Sequence, residues 1–539
     1  MTLTEAPTEG LASEEVVAAP HSWLGTADHK RLGLLFLLGS LVFLVLGGVG
    51  GAVLRAELLA EGRQLDVPYG RVFSLHVTVS SLLFLPAAWL GLATWLVPLQ
   101  IGSSRLAFPR LHAFALWVFL LGGSLLLAAY VIGTPLVDLA SSTPEPSPEG
   151  GAGTATSLAV VAMGLVVVST VLASMDLAVT VLKLRARGLT LRRLPFFSWA
   201  TLVTGLATLL ATPVFFAGLI LLYLDRHFGG QLFAAEGVAG KSVWRHSLWL
   251  FGRPEAYLAL LPGLGAACDV VATHAGRPLR GSDAARGAMV ALAALSFGAW
   301  AAGGEVADAL VLPTYSPLSA LVAVPAGVVA LVLLRTALEG RPRLHPSLLF
   351  VGGALALAGF GALHVVVAAV VGVEGEAWTT GHLHTVAFGA PSLLLFAALY
   401  HWAPKMLGRH PSPRLGASCF LGLFGGFLLL GLGSYLLGYD GTPAHRADYP
   451  FGSGTSTFSG LAFVGAALLT AGVLAFLVDV LRTTAWHAGE EAGDDPYQGL
   501  TLEWAAPSPP PPHNFDSVPE VRSAQPLLDL REPAESSRG

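Results

Sequence analysis

Three histidines lie inside long apolar stretches of the sequence. His76 stands near the start of one stretch, and His382 and His384 stand near the start of another. Neutral imidazole is the commonest metal ligand in proteins, and polar side chains are costly enough in a bilayer to mark functional sites. Two imidazoles from facing helices suit a six-coordinate haem iron, whereas one imidazole leaves the sixth position open. The alternative is three core histidines that bond backbone groups or water.

The spacing of His382 and His384 indicates that the two rings serve different neighbours. Residues two apart on an α-helix are separated by about 200° around its axis, so these rings are expected on opposite sides. One ring can then face His76 while the other faces a second pocket. All three histidines are expected at one depth, a few residues below the outer surface, which is the pattern of a buried cofactor site.

The composition indicates an integral membrane protein. Of 539 residues, 54% are hydrophobic and 12% are charged, whereas soluble proteins carry about 25% charged residues. The net charge of −5 gives no indication of a nucleic-acid partner. The only cysteines, Cys268 and Cys419, exclude a disulfide framework and a cysteine-rich metal site, and both are expected to be small buried residues.

Twelve apolar stretches are long enough to cross a bilayer as helices, which takes about 20 residues each. They cover residues 32–54, 72–99, 112–134, 156–182, 196–224, 246–272, 286–304, 311–334, 346–372, 379–403, 415–438 and 457–481. The predicted fold is therefore an all-α integral membrane bundle of twelve transmembrane helices.

Charge in the loops predicts the orientation of this bundle. Loops after even-numbered stretches hold 16 Lys and Arg, and loops after odd-numbered stretches hold 7. Positive loops stay in the cytoplasm, so both termini are expected there. We divide the chain into a leader (residues 1–28), a membrane domain (29–484) and a Pro-rich tail (485–539). The composition of this tail predicts that it is mostly disordered.

Several strings resemble subunit I of cytochrome c oxidase, in the haem-copper oxidase superfamily. They read ADHKRLGLLFLL, LVPLQIGSSRLAFPRLHA, LWLFGRPEAYLALLPGLG, FAALYHWAPKMLGR and TLEWAAPSPPPPHNF. The resemblance runs from about residue 20 to 519 and includes the twelve-helix count. It implies a respiratory electron-transfer protein of the bacterial inner membrane. Its expected partners are subunits of the subunit II and III type, cytochrome c or a similar electron donor, and membrane lipids.

The resemblance also assigns roles to individual residues. His76 and His384 match the axial ligands of the low-spin haem, and His382 matches the proximal ligand of the oxygen-binding haem. Arg55 matches the arginine that contacts the edge of the low-spin haem. Trp249, Glu255 and Tyr257 match residues of the helix that leads to the copper, and we take Glu255 and Tyr257 as family-equivalent catalytic positions.

The chain departs from the family at the copper. One family copper ligand belongs to a GHPEVY string, which here carries Arg253 in place of the histidine. The other two form a His-His pair after Trp-Ala, where this chain reads Trp300-Ala301-Ala302-Gly303, and no histidine occurs between His274 and His345.

The chemistry of the replacing residues argues against copper. A guanidinium has no lone pair to donate, and alanine and glycine have no donor side chain. A divalent first-row metal needs imidazole, thiolate or carboxylate ligands, and the positive charge of Arg253 repels it. The sequence therefore predicts that copper is not bound, although three nearby carboxylates, Glu255, Glu305 and Asp308, could serve a rebuilt metal site.

The proton pathways of the family are altered as well. The proton-uptake aspartate is replaced by Arg105, and the lysine of the second pathway falls at about Val329. The arginine pair near the haem propionates reads Ala444-His445, and the aspartate of the outer metal site becomes Gly375. Together these changes predict a protein that no longer couples oxygen reduction to proton transfer.

Three functions remain open at this point. The first is a haem protein that transfers electrons through a bis-histidine haem, with a second haem on His382 as a further expectation. The second is a working terminal oxidase, passing electrons from cytochrome c to oxygen, or a nitric oxide reductase with a rebuilt second-metal site. The third is a haem-free structural subunit. An unrelated twelve-helix carrier is opposed by the matched strings and by the absence of a visible duplication.

Overall fold

The computed structural model describes residues 23–135, 151–228, 258–298, 321–340, 342, 344–372, 376–443, 448–449 and 453–531. All the extended regular elements within these ranges are helices. An isolated bridge joins Arg409 and Glu491. The predicted all-α membrane fold is therefore confirmed.

The α-helices and their bounds follow in chain order. They are α1 (His29–Glu57), α2 (Tyr69–Thr78), α3 (Leu85–Gln100), α4 (Pro109–Ile132), α5 (Gly151–Lys183), α6 (Phe196–His227), α7 (Leu260–Ala275), α8 (Ser282–Gly298), α9 (Ala323–Glu339), α10 (Pro346–Val371), α11 (Glu376–His382), α12 (Gly389–Leu407), α13 (Pro413–Tyr439), α14 (Thr455–Thr484) and α15 (Pro526–Arg531). Two π-helical segments, Val79–Phe84 and Leu383–Ala387, join α2 to α3 and α11 to α12.

Nine helices in the described ranges are long and apolar enough to cross a bilayer. They coincide with nine of the twelve predicted stretches to within a few residues, and two of them are composite helices, Tyr69–Gln100 and Ala377–Leu407. The other three stretches, 246–272, 286–304 and 311–334, are described only in part, through α7, α8 and α9. The count of twelve therefore stays a prediction.

Local sequence sets the ends of these helices. The Asp28 carboxylate accepts a hydrogen bond from the Lys30 amide at the start of α1, and the Ser412 hydroxyl accepts one from Leu415 at the start of α13. Side chains of this kind satisfy amides that have no partner inside the helix. Gly372 and Gly408 end α10 and α12 in the left-handed conformation that glycine adopts without strain.

Glycines allow close contact between neighbouring spans. A Cβ on Gly33 would lie 2.6 Å from the carbonyl oxygen of Gly91, so only glycine fits where α1 crosses α3. Gly426 and Gly465 make the same kind of contact between α13 and α14, where a Cβ on either residue would lie 2.8 Å from the other's carbonyl oxygen. Small residues hold helices together in lipid because close backbone approach replaces the missing hydrophobic driving force.

Residues 485–531 pack against the membrane helices, which differs from the disorder that their composition predicts. Leu500, Leu502 and Trp504 are buried in the main apolar core. The Lys405 ammonium donates hydrogen bonds to the carbonyl oxygens of Asp494 and Ala506. An average composition gives little weight to a few residues. It therefore does not reveal that three apolar side chains bury the tail, or that a buried lysine donates hydrogen bonds to the tail backbone.

A buried carboxylate, Glu503, joins this tail to the bundle. Its Oε1 accepts hydrogen bonds from Gln100 Nε2 at 3.1 Å and from Trp402 Nε1 at 3.3 Å. Gln100 Nε2 also donates to the Asp269 carboxylate at 3.1 Å, so one amide bridges two acids. Burial, and secondarily the nearby charge of Asp269, raises the pKa of Glu503 to about 7.

Tail docking should therefore weaken as pH rises. Because the docked Glu503 holds its proton up to a pKa of about 7, whereas a free glutamate loses it near 4.5, docking is strongest below about pH 4.5 and declines as pH rises to about 7. Hydrogen-exchange protection of residues 498–506, corrected for intrinsic exchange, should fall by about two orders of magnitude across that window. The Glu503→Gln variant should show a flat profile, and a matching decline in this variant would contradict the assignment.

Candidate haem centre

The imidazoles of His76 and His384 face each other between two composite helices. Their ring centroids lie 6.3 Å apart, and the ring planes are within 8° of parallel. His76 stands in α2, just before the first π-helical segment, and His384 stands within the second. π-Helical turns are rare and are found mainly at functional sites.

Each of these rings is oriented by a backbone carbonyl. His76 Nδ1 lies 2.8 Å from the carbonyl oxygen of Gly47, and His384 Nδ1 lies 2.8 Å from that of Thr380. A carbonyl only accepts, so both Nδ1 atoms carry the proton and both Nε2 atoms keep a free lone pair. Metal-bound histidines are held in the same way, through the nitrogen that does not bind the metal.

The spacing of the two rings fits an iron atom between them. A metal–imidazole nitrogen bond is about 2.0 Å long, and the nitrogen lies about 1.1 Å from its ring centroid. Two imidazoles that bind one metal from opposite sides would therefore have centroids roughly 6.2 Å apart. The observed 6.3 Å matches this separation. Direct stacking of the two rings would bring them much closer, so the gap has the width that a metal occupies.

Gly51 on α1 leaves the space that the imidazole ring of His76 occupies. A Cβ on Gly51 would lie 2.8 Å from Cε1 and 3.1 Å from Nδ1 of His76, which is too close without a shift of the ring. Gly48, three residues earlier on the same helix, has open space where a Cβ would stand. Near the His76 ring, the requirement for glycine therefore falls on Gly51 and not on Gly48.

Arg55 lies on the same helix, in its last turn. It interacts electrostatically with both His76 and His384. Its guanidinium makes no salt bridge to a carboxylate within the described ranges. A cation beside this pair could bind the negatively charged edge of a haem, as the resemblance implies.

His382 faces a different environment from His384, as the helical spacing predicts. Its ring stacks on Trp378, with centroids 5.5 Å apart and planes within 6°. Its Nδ1 lies 3.5 Å from the hydroxyl oxygen of Tyr435, which also bonds Thr385. Trp378 precedes His382 by four residues, the spacing at which side chains meet on a helix, so this contact could have been read from the sequence.

The remaining predicted site residues lie outside the described residues. These are Trp249, Arg253, Glu255, Tyr257, Trp300, Ala301, Ala302, Gly303, Glu305, Asp308, Gly375, Ala444 and His445. The loss of the copper ligands therefore stays a prediction from the sequence. Of the positions predicted to alter the proton pathways, Arg105 is exposed in the α3–α4 loop and Val329 is fully buried in α9.

A second buried polar group was missed at the sequence level. His112 lies between Asp176, whose Oδ2 is 2.9 Å from Nδ1, and Thr94, whose Oγ1 is 2.7 Å from Nε2. These contacts join α3, α4 and α5, and all three residues are buried. The signal was available, because an aspartate inside an apolar stretch marks a site that must satisfy it.

Comparison with known proteins finds similarity over nearly the whole chain. The family model described as cytochrome c and quinol oxidase polypeptide I matches residues 31–471. A Streptomyces coelicolor protein named as a cytochrome c oxidase subunit 1-beta is 37% identical, over 95% of this chain and 90% of the relative. Cytochrome c oxidase subunit 1 of Corynebacterium efficiens is 32% identical, over 95% and 90% of the two chains.

Both comparisons extend over the helices that carry His76, His382 and His384, and they agree with the resemblance of the sequence strings. Membrane-spanning helices and oxidase subunit 1 relatives together indicate an integral membrane protein of respiratory electron transport. The chain belongs to the cytochrome c and quinol oxidase polypeptide I family, the subunit I family of the haem-copper oxidases.

Proposed function

We propose that this subunit I holds a low-spin haem between His76 and His384 and transfers electrons without copper-dependent oxygen reduction or proton pumping. The observation that carries the proposal is the parallel pair of imidazoles, 6.3 Å apart. A haem with two histidine ligands has no open coordination position, so when bound it supplies one-electron transfer and no bond chemistry.

The protein's own groups do the positioning. The Gly47 and Thr380 carbonyls hold the rings of His76 and His384 in the tautomer that presents Nε2. Gly51 leaves room for the His76 ring. Arg55 supplies positive charge, which favours the reduced over the oxidised state of a neighbouring redox centre and so helps to set its potential.

A second haem on His382 is part of the proposal. His382 matches the family's proximal ligand, Trp378 stacks on its ring, and the Tyr435 hydroxyl lies 3.5 Å from its Nδ1, so these two side chains would orient the ring. A single histidine ligand leaves one position open to a small gas such as carbon monoxide. Without a copper neighbour, such a haem lacks the second electron donor that oxygen reduction uses.

The absence of copper is proposed from the sequence. Arg253, Ala302 and Gly303 stand at or near the family's ligand positions, and none of them can donate a lone pair from its side chain. Loss of proton pumping is proposed because Arg105 replaces the uptake aspartate and Val329 stands near the position of the pathway lysine.

A working terminal oxidase is the main alternative, and the names of the relatives favour it. It requires a second metal held by groups other than histidine, for which Glu255, Glu305 and Asp308 are the nearest donors in the sequence, with Tyr257 at its family position. A haem-free structural subunit is the third possibility, and it gives no reason for the spacing of His76 and His384.

The proposed setting is the bacterial inner membrane, with both termini in the cytoplasm. The excess of Lys and Arg in the even-numbered loops supports this orientation. We propose partner subunits of the subunit II and III type and an electron donor such as cytochrome c. A two-copper centre with cysteine ligands would have to come from a partner, because Cys268 and Cys419 are both buried and unpaired.

Metal analysis of the purified protein, with reduced-minus-oxidised spectra in the presence and absence of carbon monoxide, separates these functions. The proposal predicts iron without stoichiometric copper, a bis-histidine spectrum, a carbon monoxide shift from the His382 haem, and negligible oxygen uptake with reduced cytochrome c. Stoichiometric copper with rapid turnover would identify a terminal oxidase. A colourless protein after expression with ample haem would identify a structural subunit.

Replacement of a ligand histidine should remove one signal selectively. His76→Ala should abolish the low-spin spectrum, because a haem at this site would lose one of its two histidine ligands, while the carbon monoxide response from His382 remains. His364→Ala is the matched control, since His364 is a membrane histidine that bonds the Tyr439 hydroxyl at 2.9 Å instead. An unchanged low-spin spectrum in His76→Ala would refute the ligand assignment.

The glycine beside His76 offers a subtler test. Gly51→Ala places a methyl group 2.8 Å from His76 Cε1 and must displace the ring. Overpacking of this kind costs about 1–3 kcal/mol, so low-spin haem should bind about fivefold to a hundredfold more weakly. The rate of haem loss to excess apomyoglobin measures the change. Gly48→Ala, whose added methyl meets open space, should lose haem at the parental rate, and equal rates for both variants would contradict the packing argument.

A further inference from the structure

We propose that two adjoining loops form a binding site for the headgroup of an anionic phospholipid. The loops are residues 101–110, between α3 and α4, and residues 183–193, between α5 and α6; we call them the basic loop surface. They contain no Asp or Glu. Their cations are Arg105, Arg110, Lys183, Arg185, Arg187, Arg192 and Arg193.

The two loops are joined into one surface by direct contacts. The Ala186 amide donates a hydrogen bond to the Ile101 carbonyl at 2.8 Å, and the Ala107 amide donates to Thr180 Oγ1 at 2.9 Å. A Cβ on Gly102 would lie 2.9 Å from the Cβ of Ala186. The cations of both loops therefore act on the same region of space.

Most of these cations are available to a ligand. Arg193 donates to the Gly188 carbonyl of its own loop, and Arg185 donates to the carbonyls of Leu189 and, in α5, Val181, so both are held in place. The other five, Arg105, Arg110, Lys183, Arg187 and Arg192, are exposed. Their side chains make no ion pair with any carboxylate in the described part of the chain.

Two carboxylates beside the basic loop surface have partners of their own. Asp176 is buried, where it accepts hydrogen bonds from the Phe108 amide and from His112. In the tail, Glu520 pairs with Arg522 at 2.7 Å. The potential over the basic loop surface therefore remains positive, and a negatively charged group is the ligand that it favours.

The shape of the surface suits a headgroup. Arg185, Gly188, Leu189, Thr190, Leu191 and Arg192 line a shallow open groove of about 560 Å³. The loop backbone is firmly supported, because a Cβ on Gly188 would lie 2.2 Å from the Val521 carbonyl oxygen of the docked tail. A preformed groove lowers the entropy cost of binding.

The surroundings favour a lipid over a free anion. The loops end helices that span the bilayer, which puts their cations at headgroup level. Exposed apolar side chains stand among them: Phe108 is 46% exposed, Leu182 40% and Leu191 39%. A lipid satisfies both features, since its phosphate meets the arginines while its acyl chains cover the apolar side chains. This inference is independent of haem binding.

The test uses the full-length protein, purified in a neutral detergent and stripped of lipid. Calorimetric titration compares dioctanoyl phosphatidylglycerol, dioctanoyl phosphatidylcholine and inorganic phosphate as probes. We expect phosphatidylglycerol to bind at least about tenfold more tightly than phosphatidylcholine. Each surface cation contributes about 1 kcal/mol, so the triple variant Arg105→Gln/Arg187→Gln/Arg192→Gln should bind phosphatidylglycerol about a hundredfold more weakly.

The matched control is Arg277→Gln/Arg280→Gln/Arg335→Gln, which removes the same charge from arginines that already pair with Glu339. It should keep parental affinity to within about threefold. The corresponding Lys variant of the three loop arginines should keep most of the affinity, which separates loss of charge from loss of fold. Equal weakening by both triple Gln variants would overturn the site. Competition by inorganic phosphate at the concentration of the lipid would show a free-anion site instead.

Discussion

The meeting of two imidazoles across a fixed gap is the constraint on which the rest of this site depends. A separation of 6.3 Å between the centroids of two nearly parallel rings is the separation that a haem iron bound by both imidazoles would need. Holding it requires a carbonyl behind each ring, a glycine face on α1 and a wider π-helical turn at His384. A shift of any of these supports would change the separation of the two rings, on which the proposed haem site depends.

The bilayer also requires ionisable groups elsewhere in the molecule to have hydrogen-bond partners. An ionisable group without a partner is costly in lipid, and two buried groups described above are each bound by more than one neighbour. His112 lies between Asp176 and Thr94, and Gln100 bridges Asp269 and Glu503. The contacts of Glu503 also hold the tail against the membrane helices, on the side that the proposed orientation assigns to the cytoplasm. The tail in turn packs against the basic loop surface.

Much of the fold was predictable because the bilayer imposes a simple rule on sequence. Nine apolar stretches became spanning helices with ends within a few residues of those predicted. The separation of His382 and His384 followed from helical rotation, and the environments of the two rings do differ. The tail was not predictable in this way, because Trp504 and Glu503 depend on partners such as Gln100 and Lys405 that lie some 400 and 100 residues away.

By itself, the sequence determined the membrane class and the three histidines that lie in its apolar stretches, and it carries the proposal that the copper ligands are replaced at or near Arg253, Ala302 and Gly303. These follow from residue type alone, since apolar length and the presence of a donor atom do not depend on packing. The tertiary structure decided which histidines face each other, which glycines must remain glycine and where the tail lies. Those outcomes depend on distances between helices that are remote in the chain, and local patterns carry no information about such distances.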